Sequence, residues 1–121
     1  MSTKLLAYHF DLKRSMWTRA YLDQTVDLVR GWGFNTILYE IEDKFRFPRH
    51  PALTHPEAPS HEETADFVRS CRAKGVEVIP MMQSLGHAES VVGKPAYAHL
   101  RETPEVDDQY DPLSDEARRL I

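Results

Sequence analysis

The sequence has one cysteine, Cys71, among 121 residues. A single cysteine excludes an internal disulfide and any cysteine-based zinc cluster, and it predicts a reducing, cytoplasmic setting. Glycine is scarce, with five residues, and Gly31-Trp32-Gly33 lacks the third glycine that a phosphate-cradling turn needs. Positive charge is not in excess. Fifteen Lys and Arg stand against nineteen Asp and Glu, giving a formal net charge of −4. That argues against a nucleic-acid partner and against an anionic membrane, both of which call for a basic surface. No apolar run approaches the ~20 residues of a membrane-crossing helix. The opening MSTKLLAYHF, with one lysine and a very short apolar stretch, predicts no secretory signal. GxSxG, HExxH and CxxC are all missing. What is present, 41% apolar and 28% charged residues, describes one ordinary soluble domain or part of a larger one, long enough to bury a core.

Hydrophobic patterning organises that core. Residues 35–41 (NTILYEI) and 76–82 (VEVIPMM) read as buried strands, and 5–10 (LLAYHF) as a third. Between them lie two helical patterns. In 21–32, Leu22, Val26 and Val29 recur at helical spacing, with Trp32 completing the stripe and Gly33 as the stop. The second helix opens on the capping box Ser60-His61-Glu62-Glu63. It turns Thr64, Val68 and Cys71 one way, with Phe67 beside them, and closes at Lys74-Gly75. The order strand, helix, strand, helix, strand predicts βαβ crossovers and a parallel sheet, an α/β fold. Residues 45–59 carry four of the eight prolines and read as a long loop. After Gly86 the pattern loosens: a short helical stretch over 96–101, an acidic exposed stretch over 103–111, and a helix opening at Ser114. Ile121 falls only a few residues into that helix, which predicts a truncated chain.

Polar residues gather where the strands end: His9, Asp11 and Lys13 after the first, Glu40, Glu42 and Asp43 after the second, Gln83, Ser84 and His87 after the third. Ligands of α/β sheets and barrels bind at the carboxyl ends of strands, so these residues are the candidate site. Each also has a plainer role open to it. His9 suits a hydrogen-bonded core position and Asp11 a turn cap. Glu42 and Asp43 suit a solvated loop. Glu40 lies in an otherwise apolar strand, so it must be paired or functional. His87 follows Gly86, which permits close approach of a ligand. Asp107-Asp108 reads as a solvated patch, and Asp115-Glu116 as charge complementing a helix dipole.

Three stretches resemble a known family. Gly33 to Asp43, GFNTILYEIED, looks like the second-strand motif of glycoside hydrolase family 20. Val76 to His87, VEVIPMMQSLGH, looks like its third strand, and HFDLKRS resembles its first. Glu42-Asp43-Lys44-Phe45, Gln83 to His87, and Ala98 to Glu102 resemble the hexosaminidase D-type branch in particular. Leu85 and Gln83 depart from the wider family, many of whose members have Pro and Asp there. The resemblance implies the N-terminal portion, about three βα units, of a (β/α)8 TIM barrel. Residues 1–121 would be an incomplete piece of the catalytic domain. It implies an exo-β-N-acetylhexosaminidase using substrate-assisted retention, with an N-acetylhexosamine-containing glycan as partner and no cofactor or metal. The family's catalytic Asp-Glu pair closes a fourth strand and is expected beyond residue 121, so the chain alone is predicted inactive. Carried over as supporting positions are Asp11 and Asp43, which match acidic positions of the first and second strands, and His87, the Gly-His histidine. Two alternatives stand beside this reading. One is a metal-dependent sugar isomerase or epimerase barrel holding a divalent ion on Glu40, His87 and His9 or Asp11. The other is a non-catalytic carbohydrate-binding module.

Overall fold

Alternation along three short strands decides which side of the sheet the helices cover. The computed structural model describes residues 4–121. Strands β1 (Ala7–Asp11), β2 (Thr36–Glu40) and β3 (Glu77–Met81) lie parallel in the order β1-β2-β3. Their register sets Asp11 opposite Glu40 and Glu40 opposite Met81, so the three strands end at one level. Tyr8, Phe10, Ile37, Tyr39 and Val78 share one face and pack with the helices. Every second residue points the other way: His9, Asp11, Leu38, Glu40, Ile79 and Met81.

The helices are α1 (Arg19–Gly31) and α2 (His61–Ala73). Each starts where a hydroxyl accepts an otherwise unpaired amide. Thr18 Oγ1 accepts from Tyr21 N at 3.2 Å, which starts α1 two residues before the apolar stripe does. The predicted capping box is present in full. Ser60 Oγ accepts from Glu63 N at 3.2 Å, and Glu63 Oε2 accepts from Ser60 N at 2.7 Å. Gly33 (φ +93°) and Gly75 (φ +75°) turn the chain back into β2 and β3 through the left-handed region, where a side chain is strained.

Leu22, Val26 and Val29 of α1 meet Phe67 and Cys71 of α2 over Phe10, Ile37 and Tyr39. Burial pushes the Cys71 thiol up to about 11, so it packs as an inert apolar group. Two expectations are corrected here. Trp32 is not core: it follows the last turn of α1 and is 62% exposed. In α2 it is Phe67, tilted against Tyr39 at 5.4 Å, that enters the core, while Thr64 and Val68 are half-buried.

Strand β3 is also less buried than a core strand, with Ile79 39% exposed. Among the described residues it pairs only with β2. Pro80 fits that position, because a proline has no N–H to give a second neighbour.

The segment after β3 builds a second core with the proline-rich loop. Helices α3 (Glu89–Val92) and α4 (Asp115–Leu120) flank a 3-10 turn over Pro95–Leu100, which replaces the predicted short helix. Val91, Val92, Leu100, Tyr110 and Ala117 pack with Leu53 from the loop, so the loop is anchored through its own 3-10 turn, Pro51–Leu53. Ser114 caps α4 as predicted. No helix among the described residues is long and apolar enough to cross a membrane. Ser60→Ala, which removes one half of the capping box, is expected to cost about 1 kcal/mol. A urea titration would show it as a lower midpoint at an unchanged slope.

Candidate active site at the strand ends

Glu40 ends the central strand and is 2% exposed. A carboxylate taken out of water needs replacement donors, and the neighbouring strands supply them. His9 Nε2, on β1, lies 2.6 Å from Glu40 Oε2. Gln83 Nε2, two residues past β3, donates to Glu40 Oε1 at 2.9 Å. Burial pushes the Glu40 carboxyl up, but the influence of Glu42, the hydrogen bonds of Gln83 and His9, and the attraction of His9 outweigh it and leave the group below the ordinary glutamate value. His9 keeps about half its side chain open to solvent on the face that carries no helix. The result is an anionic acceptor under a half-exposed imidazole.

Glu42 lies two residues on and is also 2% exposed. Among the described residues neither carboxyl oxygen has a hydrogen-bond partner. Burial, and the like charge of Glu40, push it up to about 7, against the opposing pull of Ser90 and Lys13. Its backbone is left-handed at φ +46°, as is that of His87 at φ +55°. Non-glycine residues enter this region at a cost of order 1–3 kcal/mol. Both such residues sit in the loops that follow strand ends.

The remaining predicted residues have different partners. Asp43 lies between Lys44 and Lys94, with Lys94 Nζ 3.1 Å from Oδ2. Burial raises the Asp43 carboxyl, and the two ammonium groups more than reverse that and hold it below the ordinary aspartate value. Asp43 is therefore a half-buried ion-pair hub and not a solvated loop charge. Asp11 accepts from Lys13 N at 2.8 Å, the turn-capping role. The Lys13 ammonium spans to the His87 carbonyl at 3.2 Å and Glu89 at 3.1 Å. The His87 side chain is exposed. The structure thus brings together His9, Glu40, Gln83 and Glu42, with Asp43, Asp11 and His87 around them. Lys44, Lys94, Ser90 and Tyr110 were missed from the sequence. They lie in loops and short helices without periodicity, and Lys94 is 51 residues from its partner.

Among the described residues no group of three or more His, Cys, Asp or Glu side chains is placed to hold a metal ion. The ligand set of the isomerase alternative is therefore not assembled among the described residues. Two cavities lie near. One, of about 500 Å³, opens on the helix side against Trp17, Tyr39 and Phe67 and includes neither His9, Glu40 nor Gln83. A second, of about 190 Å³, takes in Gln83, Ser84 and Tyr110 and so borders the site.

The raised Glu42 makes stability depend on pH. Its folded value lies above the ordinary 4.5, so its stabilising proton is fully in place below that value and is lost as pH rises through about 7. Glu42→Gln cannot lose a proton. The fall in unfolding free energy between pH 5 and pH 8 is expected to be smaller in this variant than in the parent, as read from urea midpoints at both pH values.

Comparison with known proteins places this geometry. No family model matches the chain. Hexosaminidase D of Bos taurus is 34% identical over 114 residues, covering 93% of this chain and 33% of the relative. Hexosaminidase D of Homo sapiens is 32% identical over 114 residues, with 93% and 24% covered. The chain thus spans a third or less of the curated relatives it matches. The crystal structure of a Flavobacterium johnsoniae chitobiase superposes with a TM-score of 0.81 at 15% identity, over 96% of this chain and 20% of that one. Its three parallel strands and two covering helices match the N-terminal portion of that family's barrel. The chain is thus similar in sequence to hexosaminidase D along most of its length, and in fold to part of a glycoside hydrolase family 20 chitobiase.

Proposed function

We propose that this chain forms part of an exo-β-N-acetylhexosaminidase that removes terminal N-acetylhexosamine with retention of configuration. The observation that carries the reading is the similarity to hexosaminidase D along 93% of the chain, coinciding with the polar cluster at the strand ends. In this reading the three strands continue into a closed (β/α)8 barrel, and their common end faces the sugar. The 2-acetamido oxygen of the substrate attacks the anomeric carbon as the glycosidic bond breaks. The leaving oxygen takes a proton from a glutamic acid on a fourth strand, beyond residue 121, and a preceding aspartate orients the acetamido group. Water, giving its proton back to that glutamate, then opens the oxazoline from the same face.

The described residues support this chemistry and do not perform it. The half-open His9, held by Glu40, presents an imidazole toward sugar hydroxyls. Asp11 and His87 border the same opening. Asp43, charged and clamped by two lysines, fixes the loop that follows β2. The lone buried thiol of Cys71 suits a cytoplasmic location.

Three outcomes test the reading. The protein that contains this chain together with the downstream strands should hydrolyse an aryl β-N-acetylglucosaminide, with the β-anomer as first product by proton NMR; α-anomer first would refute retention. Residues 1–121 alone should show no turnover. In the active protein, Glu40→Ala should lower kcat/KM by about 100-fold or more, because the imidazole loses its anchor and the buried site its charge. Sugar binding without turnover by the whole protein would instead support a carbohydrate-binding module.

A further inference from the structure

Glu42 is the buried ionisable group at the strand ends with no direct partner in the described structure. Its carboxyl is out of water, neither oxygen is hydrogen-bonded, and the residue is held in a left-handed conformation. It follows Glu40 by two residues at the end of the same strand. The groups whose influence reaches it come from several elements: Glu40 from β2, Lys13 from the loop after β1, Ser90 from α3 and Tyr110 from the segment before α4. Lys13 is already engaged by Glu89 and the His87 carbonyl, so it does not neutralise Glu42 directly. Tyr110 is buried, and its phenol is pushed up to about 12 by that burial and by Glu42. Ser90 and Lys13 pull Glu42 toward its charged form, but burial and Glu40 outweigh them.

We propose that Glu42 is a positioning residue, a neutral carboxylic acid whose proton keeps the Glu40 carboxylate turned onto His9 and Gln83. The proposal rests on the hexosaminidase reading only for what the positioned imidazole then does to a sugar; the arrangement itself belongs to this chain. With its proton, Glu42 leaves one negative charge in the pair, and that charge is shared by the donors of His9 and Gln83. Without it, two carboxylates face each other out of water, and Glu40 must swing off its donors or the loop must open. Glu42 takes its left-handed backbone two residues after Glu40, and its carboxyl is enclosed there. Glu42 does not reach the substrate, being enclosed, so its effect on chemistry passes through Glu40 and His9.

The Gln83 side-chain amide is the reporter. It does not titrate, and it donates straight to Glu40 Oε1. In nitrogen-15-labelled chain its NH₂ cross-peaks are expected to shift between pH 5 and 9 with a midpoint near neutrality. In Glu42→Gln that inflection should vanish while the peaks stay in the bonded position. In Glu42→Ala, which also carries no charge, the inflection should vanish as well. An inflection that persists unchanged in Glu42→Gln would overturn the proposal. A flat wild-type titration would overturn it too, as would an inflection that survives in Glu42→Ala. Should Glu42→Ala not fold, the two pH titrations decide alone, since Gln keeps the shape of Glu. These signals do not depend on hydrolysis. A chain that passes this test but belongs to a protein without glycosidase activity would sink the functional reading and leave the positioning role intact.

Discussion

Glu40 carries its charge at the end of a central strand where water cannot solvate it. The protein has to provide that solvation itself, and only the neighbouring strands are close enough to do so. His9 reaches it from β1 and Gln83 from beyond β3, one to each carboxylate oxygen. This requires parallel strands that end together, since in a register slipped by one residue Glu40 would point among the helices. The order β1-β2-β3, the two crossovers and the helices packed on one face are thus the support that one buried acid requires. Its net effect is a carboxylate made more acidic by its surroundings in spite of its burial.

Much of this support was legible in the sequence. Glu40 stood out because a lone acid in TILYE contradicts the apolar pattern around it, and such a contradiction marks either a site or a structural pair. Ser60 with Glu63, and Gly75 before Val76, located α2 because caps and left-handed stops are local devices that need no tertiary information. Thr18 is an equally local cap. Its helix begins with Arg-Ala-Tyr, whose residues carry no apolar periodicity, so the pattern alone placed the start of α1 at Tyr21.

What was not legible depended on contacts across the chain. That Phe67 and not Val68 enters the core is decided by where Tyr39 lies. That Asp43 is a clamped charge depends on Lys94, which comes into reach only when the segment after β3 folds back over the proline-rich loop. The exposure of β3 was hidden because an edge strand and a central strand share the same composition, and only Pro80 hinted at the difference. Asp107-Asp108, read as solvated, illustrates the same limit: Asp108 Oδ1 is enclosed because the backbone around it bonds to Ala88 and Leu85.

The described residues contain two hydrophobic clusters with no member in common. The ion pairs between Lys94 and Asp43 and between Lys13 and Glu89 run from the strand-end loops to the segment that builds the second cluster. Apolar packing tolerates exchange of one shape for another as long as volume is kept, whereas a paired charge tolerates almost no replacement unless its partner changes too. Substitutions inside one cluster should therefore combine additively with substitutions inside the other. At Lys13, Asp43 and Lys94, the effect of any change is set by what its partner has become.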